Sequence, residues 1–364
     1  MIESHWGESG PLSLGVEEEV MILDAATLEP APAVAMLLAD VEGAELPGRL
    51  KTELHASVVE LNTDVCADAP EALAAVRTLR DAADAAARAH GLRIAAAGAH
   101  PTAAPESLEI VQEDRYREML EHVGHTARRQ GVNGLHVHVG MPDGDACLRV
   151  LEVVLPWLPV VLALSANSPF LAGEDTGFSS NRAPILAELP RSGAPPPFDS
   201  YAAWERHVER LAQLRSPADY TSHWWDVRPH PRYGTLEVRM PDQPTAVERT
   251  GAFVALVQSL CAVALEQQDA PRDGASRSVY QQNRWAAARF GPSGDLLTPG
   301  LERRVPASEL GAELLALVRP AAERLGSAEL LDELDPTTCE ADRQRAVGVE
   351  GAAADLVERT VRSA

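Results

Sequence analysis

LGVEEEVMIL, residues 14–23, sets three adjacent glutamates between residues that otherwise read as a buried strand. Side chains alternate along a β-strand, so Glu17 and Glu19 share one face while Glu18 falls on the other with Val16 and Val20. Two like charges about 7 Å apart on one face repel unless something positive lies between them. Glu18, turned to the apolar side, needs a partner of its own, an arginine by preference, or an exposed position.

Three further segments repeat the pattern. KTELHASVVELNT (51–63) carries Lys51, Glu53 and His55 at alternate positions, with Glu60 nearby; LHVHVGM (135–141) carries His136 and His138; GTLEVRM (234–240) carries Glu237 and Arg239. The intervening residues are apolar: Leu54, Val59 and Leu61, then Val137 and Val139, then Leu236 and Val238. Placed in one sheet, these strands turn one face to helices and gather carboxylates, imidazoles and guanidiniums on the other. Glu53 and Glu60 are an odd number of residues apart, so a regular strand would oppose them; a β-bulge near Ala56–Ser57 would restore the phase. Any single pair reads most simply as the solvated face of an antiparallel strand. Four together point to a metal or catalytic site. Several carboxylates with a histidine suit Mg²⁺ or Mn²⁺, hard ions that take oxygen ligands and keep positions open for phosphate. The four cysteines (Cys66, Cys147, Cys261, Cys339) are too scattered for a zinc site.

The rest of the 364 residues narrows the class. Formal net charge is −22, which argues against nucleic acid and against anionic membranes as partners. Lys51 is the only lysine. Scattered cysteines without CxxC spacing fit a reducing compartment, and the N-terminus lacks the layout of a signal peptide. The most apolar stretch, 153–166, is too short to span a bilayer and carries Pro156 and Pro159. A cytoplasmic protein is expected. Neither GxxxxGK[ST] nor GxGxxG occurs, and GxSxG is missing too, so P-loop, Rossmann and serine-elbow chemistry are not indicated.

Helices are expected over 32–40, 69–90 (capped by Asp68), 112–129, 145–165 with a break at its prolines, 201–215 and 245–267. Segment 166–200, rich in Ser, Pro and Gly, reads as a long irregular loop, and 291–364 as mostly helical. Strands arrive singly between helices and alternate polar with apolar. That favours an α+β fold with an antiparallel sheet, and no composition break divides residues 1–364 into two domains.

GVEEEVMILD, KTELHASVVELNTDVC, GLHVHVGMPD, SSNRAPILAELPRSGAPPPF, HWWDVRPHPRYGTLEVRMPDQPT and NRWAAARFG occur in the order found in the glutamate–cysteine ligase type 2 family. The chain most resembles that family's YbdK-type carboxylate–amine ligases, over about residues 12–291; the helical tail 301–364 lies outside the resemblance. What the resemblance implies is a glutamine-synthetase-like fold, with a curved, mainly antiparallel sheet forming an active-site funnel and helices on its outer face. It also implies ATP and Mg²⁺ (or Mn²⁺). Carried over, Glu17, Glu19, Glu53, Glu60 and Glu237 become metal carboxylates. His138, with His136 as the alternative, becomes the histidine beside them, and Arg239 faces the transferred phosphoryl group or the substrate. Arg182 is implied for the substrate carboxylate, Lys51 for phosphate and Arg289 for the nucleotide; a surface salt bridge is the competing reading for each arginine. The implied reaction is amide formation between a small carboxylate, glutamate among the candidates, and an amine, through an acyl phosphate. A weak or true glutamate–cysteine ligase activity is the near alternative. A metal-dependent hydrolase or a non-catalytic binding protein represents other classes. The helical tail is a candidate homodimer surface.

Overall fold

In the computed structural model, which describes residues 2–214, 220–267, 274–298 and 303–361, the opening segment is strand β1 (Leu14–Asp24). It is followed by β2 (Gly48–Thr52), β3 (Val58–Thr63), β4 (Leu92–Ala95) and β5 (Leu135–Gly140). A small ribbon, β6 (Phe170–Leu171) with β7 (Glu174–Asp175), stands apart. Strands β8 (Val227–His230) and β9 (Thr235–Val238) return to the main sheet, and β10 (Asp295–Leu297) pairs with β11 (Arg304–Pro306) in a separate hairpin. The main sheet has seven strands in the order β2-β3-β1-β5-β9-β8, with β4 also on β1. Every pairing in it is antiparallel.

Period-2 alternation decides which way each strand faces. Val16, Leu135, Val137, Val139, Leu236 and Val238 share one apolar cluster with residues of helices Gly144–Val154, Leu158–Ser165 and Val247–Glu266. Val20, Ile22, Val59 and Leu61 join a second, against helix Ala69–Ala89 and helix Val34–Asp40. Asp68 accepts the Glu71 N–H at 2.9 Å, the expected N-cap. Two helical stretches, Gly144–Ser165 and Val247–Glu266, are long and apolar enough to cross a membrane, yet their most apolar windows are 78% and 83% buried inside the molecule. They form its core.

Four expectations need correction. Residues 51–63 are not one bulged strand: β2 ends at Thr52, β3 begins at Val58, and the two pair as a hairpin. The irregularity does fall at Ala56–Ser57, but as a chain reversal, and that reversal resolves the odd spacing of Glu53 and Glu60. The helix expected over 112–129 is two, Asp114–Val123 and His125–Arg128, interrupted at Gly124, whose φ of 70° is the left-handed region. The 166–200 segment holds the β6–β7 ribbon and helix Arg182–Leu186. The stretch before GTLEVRM contributes strand β8, a further ionisable strand that was not foreseen.

The last helix, Val349–Thr360, packs Leu356 and Val357 on Met21, Leu23, Ala95 and Ala97. The chain's end is therefore fastened to its central strand.

Candidate active site

The sheet register builds the site. β1 sets Glu17 opposite His136 of β5 and Asn62 of β3, and sets Glu19 opposite Glu60. Glu237 of β9 lies opposite both His138 of β5 and Arg228 of β8. Lys51 of β2 lies opposite Glu60, with Nζ 3.3 Å from its Oε1. One pleat face thus carries Lys51, Glu60, Glu17, Glu19, His136, His138, Glu237 and Arg228.

At its centre one ligand atom each from Glu17, His138 and Glu237 lie within 4.8 Å of one another, and no other such trio occurs among the described residues. Thr235 Oγ1 holds His138 Nδ1 at 2.9 Å. This leaves His138 Nε2 buried, 3.6 Å from Glu17 Oε1 and without a hydrogen-bond partner. His136 lies between two carboxylates, with Nδ1 3.2 Å from Glu17 Oε2 and Nε2 3.9 Å from Glu19 Oε1. Both imidazoles face the carboxylates, but His138 is the one that completes the trio.

Electrostatics divide the glutamates into two kinds. Burial raises the pKa of Glu237 most strongly, but the guanidiniums of Arg228 and Arg239 outweigh it and hold the carboxyl well below its usual range. Arg228 reaches Glu237 at 2.6 and 3.1 Å, Arg239 at 2.6 Å. Burial pushes Glu17 up, but the imidazoles of His136 and His138 beside it outweigh that and hold the carboxyl well below its usual range. Burial carries His136 down to about 4. His138 goes up, Glu17 and Glu237 prevailing over burial.

For the other three glutamates, burial and mutual repulsion outweigh the cations nearby. Glu19 is pushed up to about 7 by burial and by Glu60, against the pull of Arg182. Glu53 is pushed up to about 8 by burial and then by Glu19 and Glu60. Glu60 is raised by burial and by Glu17 despite Lys51. Crowded buried carboxylates beside an imidazole nitrogen with no partner form a donor set that a hard divalent cation would satisfy.

Two cavities meet over this face. One, of about 510 Å³, runs toward Gly15, Ser13, Asn62, Arg49 and Thr235. The other, of about 630 Å³, runs toward Glu19, Glu53, Glu60, His136, Glu237 and Arg239. Glu17, Lys51, His138 and Tyr233 line both. The division follows the strands: residue 15 of β1 faces one chamber, residue 19 the other, and residue 17 the boundary. Segment His5–Ser13 contributes to the wall of the first chamber and is pinned by His5 N–H to the Pro231 carbonyl (3.0 Å) and Gly7 N–H to the Met141 carbonyl (3.0 Å).

Two implied residues are not brought to either chamber. Arg182 is buried and donates to the carbonyls of Met240 (3.1 Å) and Arg239 (3.0 Å), bracing the chain just past β9. It also requires a glycine at position 134, where a Cβ would meet its Nη2 at 2.1 Å. Arg289 sits over the rings of Phe290 and Phe178, at 5.0 and 5.6 Å, and lines neither chamber. An arginine's partners are set by distant chain segments, which local sequence does not reveal. His55, grouped with Glu53 by alternation, is buried just before the turn and bridged to Ile110, away from the chambers. Residues not foreseen include Arg228, Arg115 and Tyr116, all lining the second chamber. Arg228 and His230 alternate between Val227 and Pro229, the same signal that flagged the other strands.

Glu18 meets the expectation set for it. It is fully buried on the helix-facing side and accepts from Arg80 Nε and Nη2, both at 2.7 Å, from Gln243 Nε2 at 2.8 Å and from Thr250 Oγ1 at 2.6 Å.

Carboxylates, imidazoles and arginines thus converge on one face of an antiparallel sheet with helices behind it, an α+β fold with a candidate metal-dependent site. The model of glutamate-cysteine ligase family 2 matches residues 13–355, which takes in most of the helical tail. A relative from Rubrobacter xylanophilus, named with the glutamate–cysteine ligases 2, is 40% identical over 350 residues, covering 95% of each chain. One from Haloferax volcanii, named glutamate–cysteine ligase, is 38% identical over 336 residues, 92% of each. Among solved structures, the glutamate–cysteine ligase of Francisella tularensis in complex with AMP has a TM-score of 0.72 at 14% identity, covering 96% of this chain and 88% of that one. A bifunctional glutathione synthetase from Pasteurella multocida has a TM-score of 0.69 at 16% identity, covering 96% and 52%. The chain belongs to glutamate-cysteine ligase family 2. Its class is that of the ATP-dependent ligases.

Proposed function

We propose that this chain is an ATP-dependent carboxylate–amine ligase, acting on an amino acid such as glutamate through an acyl phosphate, with Mg²⁺ or Mn²⁺ and in the cytoplasm. The observation that carries the reading is the Glu17–His138–Glu237 trio where two chambers adjoin, Glu17 and His138 lining both and Glu237 the second. A transfer between two substrates needs two adjoining compartments with the reacting groups at their boundary. Glu17, His138 and Glu237 would hold one divalent ion, and Glu19, Glu53 and Glu60 a second. Ions bound there would neutralise the charge of the transferred phosphoryl group.

This chain's own side chains do the rest. The first chamber, with Arg49, Lys51 and Arg232 in its lining, takes the nucleotide. The second takes the acid and the amine. Arg239, fixed by Glu237, presents a planar guanidinium to the carboxylate or the phosphoryl oxygens. Arg228 and Thr235 act at one remove, holding Glu237 ionised and His138 in one orientation. No enzyme nucleophile is called for, because ATP activates the carboxylate and the amine attacks it. The four cysteines are all free and buried, consistent with a reducing compartment.

The test is ADP release from purified protein across a matrix of amino acids and amines, with Mg²⁺ or Mn²⁺ and with Glu60→Gln alongside. Glutamate with cysteine is the first pair, since relatives bear that name. The expected result is one or more pairs raising ADP formation far above the variant. If no pair does, the ligase reading fails; product formed without ATP would instead identify a hydrolase.

A further inference from the structure

The first chamber is lined by an aromatic ring, Tyr233, stacked on His230, which lines the second chamber only. His230 and Tyr233 lie nearly parallel, 11° between planes and 4.3 Å between centroids. The ring of His138 meets Tyr233 edge-on at 5.6 Å. His230 is buried, whereas Tyr233 is 42% exposed and lines both chambers. With one face covered by His230, the ring's exposed area lies on its remaining sides.

Tyr233 is also held in place. It closes the 3₁₀ turn Pro231–Tyr233 between β8 and β9, and Gly234 follows with φ 65°. A Cβ on Gly234 would sit 2.2 Å from the His5 carbonyl, so the turn and the His5–Ser13 segment fit only with glycine there. In the same chamber, Ser9 Oγ and Asn62 Oδ1 are buried without hydrogen-bond partners. Buried polar atoms left unpaired call for a partner from a ligand or water. An acidic protein of net charge −22 has also gathered its single lysine and two arginines, Lys51, Arg49 and Arg232, in this lining.

A pre-positioned aromatic ring, unpaired polar atoms and cations within one cavity match a ligand with a flat heteroaromatic end and an anionic end. We propose that Tyr233, backed by His230, is the platform on which the purine base of the nucleotide stacks in this chamber. This rests on the ligase reading and deepens it, by assigning the base as well as the phosphates. Stacking on a π-face is tolerant of base identity, so Tyr233 itself would not discriminate among purines. Trp224, in the second chamber, is the competing ring.

Binding separates these outcomes without turnover. Calorimetric titration of wild type, Tyr233→Ala, Tyr233→Phe, Trp224→Ala and Lys51→Ala with Mg²⁺ and either AMP-PNP or inorganic tripolyphosphate supplies the comparison. Tyr233→Ala is expected to weaken AMP-PNP roughly 5- to 100-fold while leaving tripolyphosphate unchanged. Tyr233→Phe should bind AMP-PNP like wild type, and Lys51→Ala should weaken both ligands. The stacking role is overturned if Tyr233→Ala, with unaltered thermal stability, binds AMP-PNP as tightly as wild type. It is equally overturned if its loss is the same for tripolyphosphate, or if Trp224→Ala alone weakens AMP-PNP. If Tyr233→Ala does not fold, failure of Tyr233→Phe to bind AMP-PNP like wild type decides against stacking. A wild type that binds no AMP-PNP removes the ligase reading together with this one.

Discussion

Glu18→Gln isolates the structural glutamate from its two neighbours. In the native protein the Glu18 carboxylate takes a bidentate pair from Arg80 and two further hydrogen bonds, all in the dry interior. The remaining Arg80 donors go to carbonyls, Thr245 at 2.6 Å, Thr360 at 3.1 Å and Pro244 at 3.1 Å. An amide in place of the carboxylate leaves that guanidinium buried among neutral oxygens and turns an NH₂ group toward a donor. Removing one partner of a buried pair costs about 3–5 kcal/mol. With roughly 2.1 cal/mol/K of unfolding entropy per residue, a chain of this length should lose about 4–7 °C of Tm. Calorimetric melting and ADP release, measured on the same preparation, check this. Tm should fall while the turnover of folded protein stays within a few-fold of wild type. Glu17→Gln and Glu19→Gln should behave oppositely, losing ADP formation with a smaller change in Tm. Adding Arg80→Met to Glu18→Gln should recover part of the lost stability, since the stranded charge is gone. If Glu18→Gln kept its Tm but lost ADP formation as fully as Glu17→Gln, the two-faced strand would be wrong.

Glu237→Gln should lower ADP formation by about 10²-fold or more, because it takes a member from the trio and releases Arg239 and Arg228; steady-state kinetics with saturating ATP measure it. For pH, Glu19 and Glu53 titrate in the folded state at about 7 and 8, above their unfolded values, so the folded protein binds more protons. Without divalent ions, stability should therefore be greatest near pH 5 and decline as pH rises through about 8. Melting curves in EDTA should show that slope, and excess Mg²⁺ should flatten it by replacing the protons. Leu356→Ala, at a fully buried contact of the last helix, should cost about 2–5 kcal/mol in denaturant unfolding and leave the Km for ATP unchanged.

The part of this site visible in the sequence is the part governed by the two-residue period. Glu17, Glu19, His136, His138 and Glu237 alternate with buried aliphatics within single strands, and each lies on the face that alternation assigns. Glu53 and Glu60 broke the period because a reversal lies between them, in a segment (Leu54–Ser57) without the glycine or proline that usually marks a turn. Strand β8 was hidden by Pro229 within it and Pro231 just after it, which argue against a strand although β8 lies at a sheet edge where proline is tolerated. Arg80, Arg182 and Arg289 were illegible for a different reason. Their partners lie across the fold, and a guanidinium on a helix looks the same whether it will be buried, stacked or solvated.

The Glu18–Arg80 contact also bears on how the molecule is made. β1 is made before the other strands of its sheet, yet it is the central strand, and its buried charge waits 62 residues for Arg80. Arg80 in turn donates to the Thr360 carbonyl, 280 residues further on. Domains whose pairings span the whole chain fold slowly and expose unpaired edges meanwhile. The central strand can be sealed only once the helix Val349–Thr360 has been made, so its buried charge stays incompletely enclosed until that helix arrives.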